Sequence, residues 1–296
     1  MRRQGGVLLA TLLLAATALG AGCLSGPGPP APPAPRPAAV PVQSAAYEGL
    51  ACENALLFLL VDYAKTDPYL PPGFHPRDPQ EFLVGFPASF GSAAVLFLEV
   101  TCPSPGGNLT AGSIDVFVQR PTVPGADDAR FDFYEVARYS HGGEFGGLLD
   151  GAGWPRIDGS VGLHLTRGVT QRSWFIQANA SDELGPAVTF LGGALPSNGT
   201  TIELGPSLVR FWHEGAGGLA SYEYDTVLDP WVGPGVCTVR EGSPLAAFTG
   251  TTGVAAPLGG GDVACPDASG GSPVVATFPG LVLDGHATLW PGVHAG

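Results

Sequence analysis

Lysine is almost missing from this chain, with Lys65 alone among 296 residues. That excludes a G-x-x-x-x-G-K-[ST] phosphate loop and a polybasic membrane patch. Charge is sparse, at 13% of residues, and lopsided, with 13 basic against 26 acidic side chains and a net charge of -13. That is the wrong sign for gripping a phosphate backbone, so no nucleic-acid partner is expected. No C-x-x-C and no HExxH occurs, which removes zinc ribbons, thioredoxin-type sites and zincins. His141-x-x-Glu144 and His213-Glu214 have no third ligand clustered with them, so no metal is expected. The glycines from Gly259 to Gly261 lack the strand-to-helix setting of a dinucleotide loop, and no cofactor is expected. Glycine (45) and proline (30) are plentiful instead, which predicts few helices and many turns. A 45% hydrophobic content supplies a core.

The N-terminus reads as a secretory signal over residues 1–22. Arg2 and Arg3 precede an apolar run from Val7 to Leu19, then the small residues Gly20-Ala21-Gly22. Cys23 comes next, and after it a Pro-rich stretch to about Pro41 that favours extended, semi-rigid conformations. A cysteine between a signal and a tether resembles the lipobox of a prokaryotic lipoprotein. It departs from that pattern at Gly20, where a branched residue is usual. The resemblance implies a lipid on Cys23, a membrane partner and an extracytoplasmic, cell-surface location, with residues 23–44 as the tether. The alternative is ordinary cleavage near Ala18 or Gly20 that leaves Cys23 a thiol.

Setting Cys23 aside leaves an even set of four cysteines in an exported chain. Cys52 precedes the first strong strand signal and Cys102 ends the next. If those strands pair antiparallel, the start of one meets the end of the other, so Cys52–Cys102 and Cys237–Cys265 are the expected bridges. Three of the four asparagines, Asn108, Asn179 and Asn198, begin N-x-[ST] sequons, and Ser and Thr make up only 34 of 296 residues. That enrichment suggests glycosylation, although unmodified polar turns fit the same pattern.

Residues 45–296 show no second linker and no repeat, and read as one domain of α+β, mostly β class. Ala55–Tyr63 and Ala94–Cys102 are nearly continuous apolar runs, while Ile114–Gln119 and Val161–Thr166 alternate. Arg130–Tyr139 fits strand or helix, and Glu48–Asn54 fits a short helix. Later strand candidates are Ser173–Gln177, Thr201–Leu204, Leu208–His213, Ala220–Val227, Val236–Val239, Val274–Phe278 and Leu281–Trp290. A mainly antiparallel, curved sheet or barrel is the natural reading.

Leu57–Tyr63 together with Tyr69-Leu-Pro-Pro-Gly-Phe-His-Pro76 resembles the opening of an acetoacetate decarboxylase-like domain. Further resemblances come in the family's order: Val95–Thr101 with Glu99, Ile114–Gln119, Gly153-Trp-Pro-Arg-Ile157, Val161–Thr166 and Gly242-Ser-Pro-Leu245. The family's decarboxylases form a Schiff base on a lysine after Tyr-Pro. Arg156 stands at that place, and a guanidinium neither loses its proton nor forms the imine. The second acidic residue of the family falls near Ala111 or Gly112.

The resemblance thus implies a surface-anchored domain without decarboxylase chemistry, and no catalytic residue is assigned. It is expected to bind a small organic or acidic ligand through Arg156, Glu99, Trp154 and Glu135. Arg156 has three readings: a carboxylate clamp, an internal partner of Glu99, Glu135 or Asp158, or an exposed loop arginine. The alternatives for the whole protein are an extracytoplasmic lyase or hydrolase using Glu99 and Arg156 without a Schiff base, and a structural surface protein. The lipid anchor is tested by Cys23→Ala, which should move the protein from the membrane fraction to the soluble one; retention after detergent-free washing refutes it.

Overall fold

The computed structural model describes residues 41–79, 92–103, 108–129, 131–141, 144–151, 153–154, 156–169, 172–196, 204–228, 231–249, 262–265 and 273–295. The signal, Cys23, most of the tether and Asn198 lie outside them. Residues 38–296 form one compact unit.

In chain order the elements are β1 (Val42–Asp62), α1 (Tyr63–Thr66) with a 3-10 turn over Asp67–Tyr69, β2 (His75–Pro76), β3 (Ser92–Cys102), β4 (Leu109–Gln119), β5 (Phe131–His141) and α2 (Glu144–Gly151). Next come β6 (Arg156–Arg167), β7 (Trp174–Asp182), β8 (Gly185–Pro196), β9 (Leu204–Gly215), β10 (Gly218–Leu228) and β11 (Trp231–Arg240). The last are α3 (Ala246–Thr249), β12 (Asp262–Ala264), β13 (Val274–Thr277) and β14 (Leu281–Pro291).

The strand pairings run β5-β9-β10-β14-β1-β3-β4, and β4 pairs back onto β5. Seven strands therefore close on one another. On the other side of β5, β6 leads into β7, β8, β11 and β12, while β13 pairs both β11 and β1. The sheet is mixed: β5 runs parallel to β6 and to β9. The other strand pairings are antiparallel, as expected; the parallel exceptions at β5 leave no mark in the sequence, because alternation reports which face is buried and not which way the neighbouring strand runs. A parallel pair needs a crossover, and α2 provides it between β5 and β6.

The apolar run in β1 reflects burial on both faces. Leu56 and Phe58 join one cluster with Leu96, Phe117, Phe133, Phe211 and Leu283. Leu57 and Leu59 join another with Val95, Phe97, Val116, Phe190 and Val275. The short helix expected over Glu48–Asn54 is absent. That segment is part of β1, where Leu50, Ala51 and Cys52 pair with Leu283, Val282 and Leu281. Pairing with a distant strand overrides the local signal there. β8 carries no strand signal in its sequence, because Gly185, Pro186, Gly192, Gly193 and Pro196 punctuate it like a loop. Gly192 is required in place, since a Cβ on it would collide with the Val275 side chain of β13.

Glu53 pairs with Thr101, so Cys52 meets Cys102 and bonds to it, with Cα atoms 4.3 Å apart. Cys237 bonds to Cys265, with Cα atoms 5.3 Å apart. Both bridges match the expected pairs. Removing the first as Cys52→Ala with Cys102→Ala releases a loop of 50 residues. It should cost about 4 kcal/mol in denaturant unfolding, by chain entropy; unchanged stability contradicts that role.

Candidate functional site

The site is built around a β-bulge. Ile114 pairs with Ala137, but Asp115 pairs with Glu135, so Val136 is the extra residue in β5. Strict alternation would turn Glu135 and Arg138 to opposite faces. The bulge brings both to the same side, and both are fully buried. Asp115 and Ser113 come to them from β4, and Tyr222 from β10.

These groups form a chain of contacts. The Tyr222 hydroxyl donates to Glu135 Oε2 at 2.8 Å, and the Ser113 hydroxyl donates to Asp115 Oδ2 at 2.6 Å. Arg138 Nε lies 3.7 Å from Glu135 Oε1, an ion-pair distance too long for a hydrogen bond. Arg138 Nη2 donates to Asp150 Oδ1 at 3.1 Å, and Arg156 Nη1 donates to Asp150 Oδ2 at 2.5 Å. Arg138 and Arg156 are direct register partners across β5 and β6, which is why one carboxylate serves both.

Asp150 is held in place by the end of α2. Gly153 has φ +78° and donates its N–H to Asp150 O at 3.0 Å, while Trp154 N–H donates to Leu149 O at 3.0 Å. That is a Schellman closure, with the expected apolar contact between the residues flanking it. Leu149 and Trp154 are buried in the same cluster. The Trp154 ring lies 5.3 Å from Tyr222 and 5.5 Å from His213.

Two lobes of open space adjoin these groups, each with a cavity volume of about 50 Å³. They share Leu98, Val100 and Tyr224. One is walled by aliphatic and aromatic side chains with Asp115 its only charged residue; the other carries Ser113, Arg138 and Tyr222. Among the described residues Asp115 Oδ1, Glu135 Oε1 and Arg138 Nε have no hydrogen-bond partner of good geometry, although the Trp154 indole is close enough to Glu135 to favour its charged form. Burial pushes Glu135 up to about 7, against the opposing pull of Arg138 and of the Tyr222 hydroxyl. Burial also raises Asp115 well above the usual carboxylate range, and Glu135 opposite it adds to the rise. His213 is lowered by burial.

Of the residues expected at the site, Glu135 and Trp154 come together here. Arg156 does not enter the cleft: its side chain is 42% exposed and pairs with Asp150 and Asp158. Among its expected partners it meets Asp158 and not Glu135, and the clamp reading is corrected, because β6 carries it to the rim. The Glu99 side chain lies outside the described residues. Asn108 is exposed, and Asn179 sits half-buried in β7. Among the described residues no group of three or more His, Cys, Asp or Glu is placed to hold a metal ion. Asp115 and Arg138 were missed by sequence reasoning. An acid and an arginine on predicted buried strands were the available signal.

Searches by sequence find no matching family model and no matching curated protein. Comparison by structure finds an acetoacetate decarboxylase at 12% identity, covering 84% of this chain and 91% of that one, with a TM-score of 0.52. The domain has the acetoacetate decarboxylase-like fold. Also similar are the enduracididine biosynthesis enzyme MppR with HEPES buffer bound (16% identity, 84% and 89% covered, TM-score 0.51) and an acetoacetate decarboxylase-like enzyme from Sphingomonas wittichii RW1 (11%, 84% and 95%, TM-score 0.50). At these identities the likeness concerns the fold alone.

Glu135 holds its proton to about 7 when folded and to about its ordinary 4.5 when unfolded. Between those values the unfolded chain has released a proton that the fold retains, so stability falls as pH rises through this window. Asp115 acts in the same direction. The melting temperature should therefore decline from pH 4.5 to 8, and Glu135→Gln should flatten the decline; an equally steep decline in the variant refutes the assignment.

Proposed function

We propose that this is an exported, lipid-anchored domain of acetoacetate decarboxylase-like fold that binds a small organic acid and does not decarboxylate it. The observation that carries the reading is the set of orphaned groups in the cleft. Among the described residues Arg138 Nε and Asp115 Oδ1 are buried without a hydrogen-bond partner, on paired strands, and their side chains line the two lobes. A ligand carboxylate between the lobes would accept from Arg138 Nε, and from Asp115 Oδ1 whenever that acid carries its proton. That answers two orphans with one group.

The absence of decarboxylation rests on the amine. An imine needs a neutral lysine, and the chain's one lysine is in α1, where Lys65 Nζ donates to Thr249 O at 3.1 Å. The guanidiniums at and beside the cleft cannot replace it. The anchor rests on the N-terminal pattern and Cys23. A second reading is an enzyme working by proton transfer, favoured by the buried Glu135 within hydrogen-bond reach of Tyr222.

Calorimetric titration of the protein with small carboxylates tests the binding reading. Arg138→Ala should weaken binding by about 2–5 kcal/mol, as for a buried charge losing its partner. Arg156→Ala, at an exposed position, should leave affinity within about threefold. Equal losses in the two variants would refute the interior site. Borohydride with acetoacetate should trap no adduct, and no carbon dioxide should form; either product would sink the non-decarboxylating reading.

A further inference from the structure

The two lobes differ in chemistry, and that difference bears on the part of the ligand beyond its carboxylate. Resting on the acid-binding reading, we infer that the ligand is an unbranched aliphatic carboxylic acid of about hexanoate length, its tail held in the apolar lobe. That lobe is walled by Leu56, Leu96, Phe133, Val209, Phe278 and Leu281, contributed by β1, β3, β5, β9 and the turn into β14. Apart from Asp115 and Tyr224 its lining is hydrocarbon, with little to offer a second charge or a polar chain. A short, densely oxygenated acid would leave its own polar atoms facing hydrocarbon.

Three observations join the tail lobe to the head group. The lobes share Leu98, Val100 and Tyr224, so the apolar lobe lies directly beside the one that Arg138 lines. Asp115, fully buried, has one oxygen tied to Ser113 and the other unpartnered toward that lobe. Ser113 and Arg138 are direct partners across β4 and β5, which puts Asp115, two residues along β4 and lining the apolar lobe, near Arg138, which lines the other.

Size bounds the tail: a lobe with a cavity volume of about 50 Å³ has room for a short run of methyl and methylene groups and not for a long chain.

The experiment is calorimetric titration of the full chain with acetate, butyrate, hexanoate and decanoate. Affinity should rise about fourfold per methylene, the equivalent of about 0.8 kcal/mol, up to hexanoate and gain nothing further at decanoate. Leu281→Ala, which enlarges the apolar lobe, should move the optimum toward octanoate. A flat series in which acetate binds as well as hexanoate overturns the tail and leaves the acid-binding reading standing. Binding of no member overturns both. If Leu281→Ala does not fold, the series on the natural chain still decides, and Val209→Ala on the opposite wall repeats the enlargement.

Discussion

Everything in this molecule turns on β5. One edge of the strand pairs with β4, and the other is divided along its length between β9 and β6. Without β5 the seven-strand closure would open, and the β6-β7-β8-β11 layer would be left with the link that β13 makes between β11 and β1. Because both faces of the strand are also buried, its side chains must satisfy two clusters at once. Phe131 and Phe133 serve one, and Tyr134, Ala137 and Tyr139 the other. The bulge at Val136 is where the strand changes which residues face which cluster.

That change of phase is what admits charge to the interior. Arg138 is 2% exposed, and Glu135 and Asp115 are 0% exposed, in a region otherwise built from aromatic and aliphatic groups. Such groups persist in low dielectric only if neutralised or paired. The fold uses both routes. The two carboxyls are driven toward their protonated forms, while Arg138 is paired with Asp150 at the rim. Asp150 then links the interior to Arg156 outside, so the exposed arginine and the buried acid belong to one series of contacts without touching.

The fold class was legible in the sequence because burial leaves a mark: unbroken apolar runs in β1 and β3, where both faces are covered, and alternation in β4 and β6. The Cys52–Cys102 pairing came from the same strands. What escaped was whatever depends on partners distant in the chain. Glu48–Asn54 looks helical until β14 is laid beside it, and β8 looks like a loop because its glycines answer to Val275. At the site, Glu135 and Trp154 were recognisable as an acid on a strand and an aromatic beside the motif. Arg138 was not, since period-two reasoning sends it to the wrong face, and a bulge has no fixed sequence signature. The motif itself pointed to Arg156, one strand too far out.

The packing of Trp154 has an optical consequence. Its indole is buried, 5.3 Å from the ring of the tyrosine whose hydroxyl is bonded to Glu135. A proton gained or lost on that carboxyl changes the field across the indole, as does any anion settling by Arg138. The emission colour of this one side chain therefore encodes the charge state of the interior. Of the other four tryptophans, Trp212 lies near the guanidiniums of Arg120 and Arg210 and donates to Asp132, and Trp174 is edge-on to Trp231. The molecule carries its own fluorescent electrometer at the place where its chemistry is concentrated.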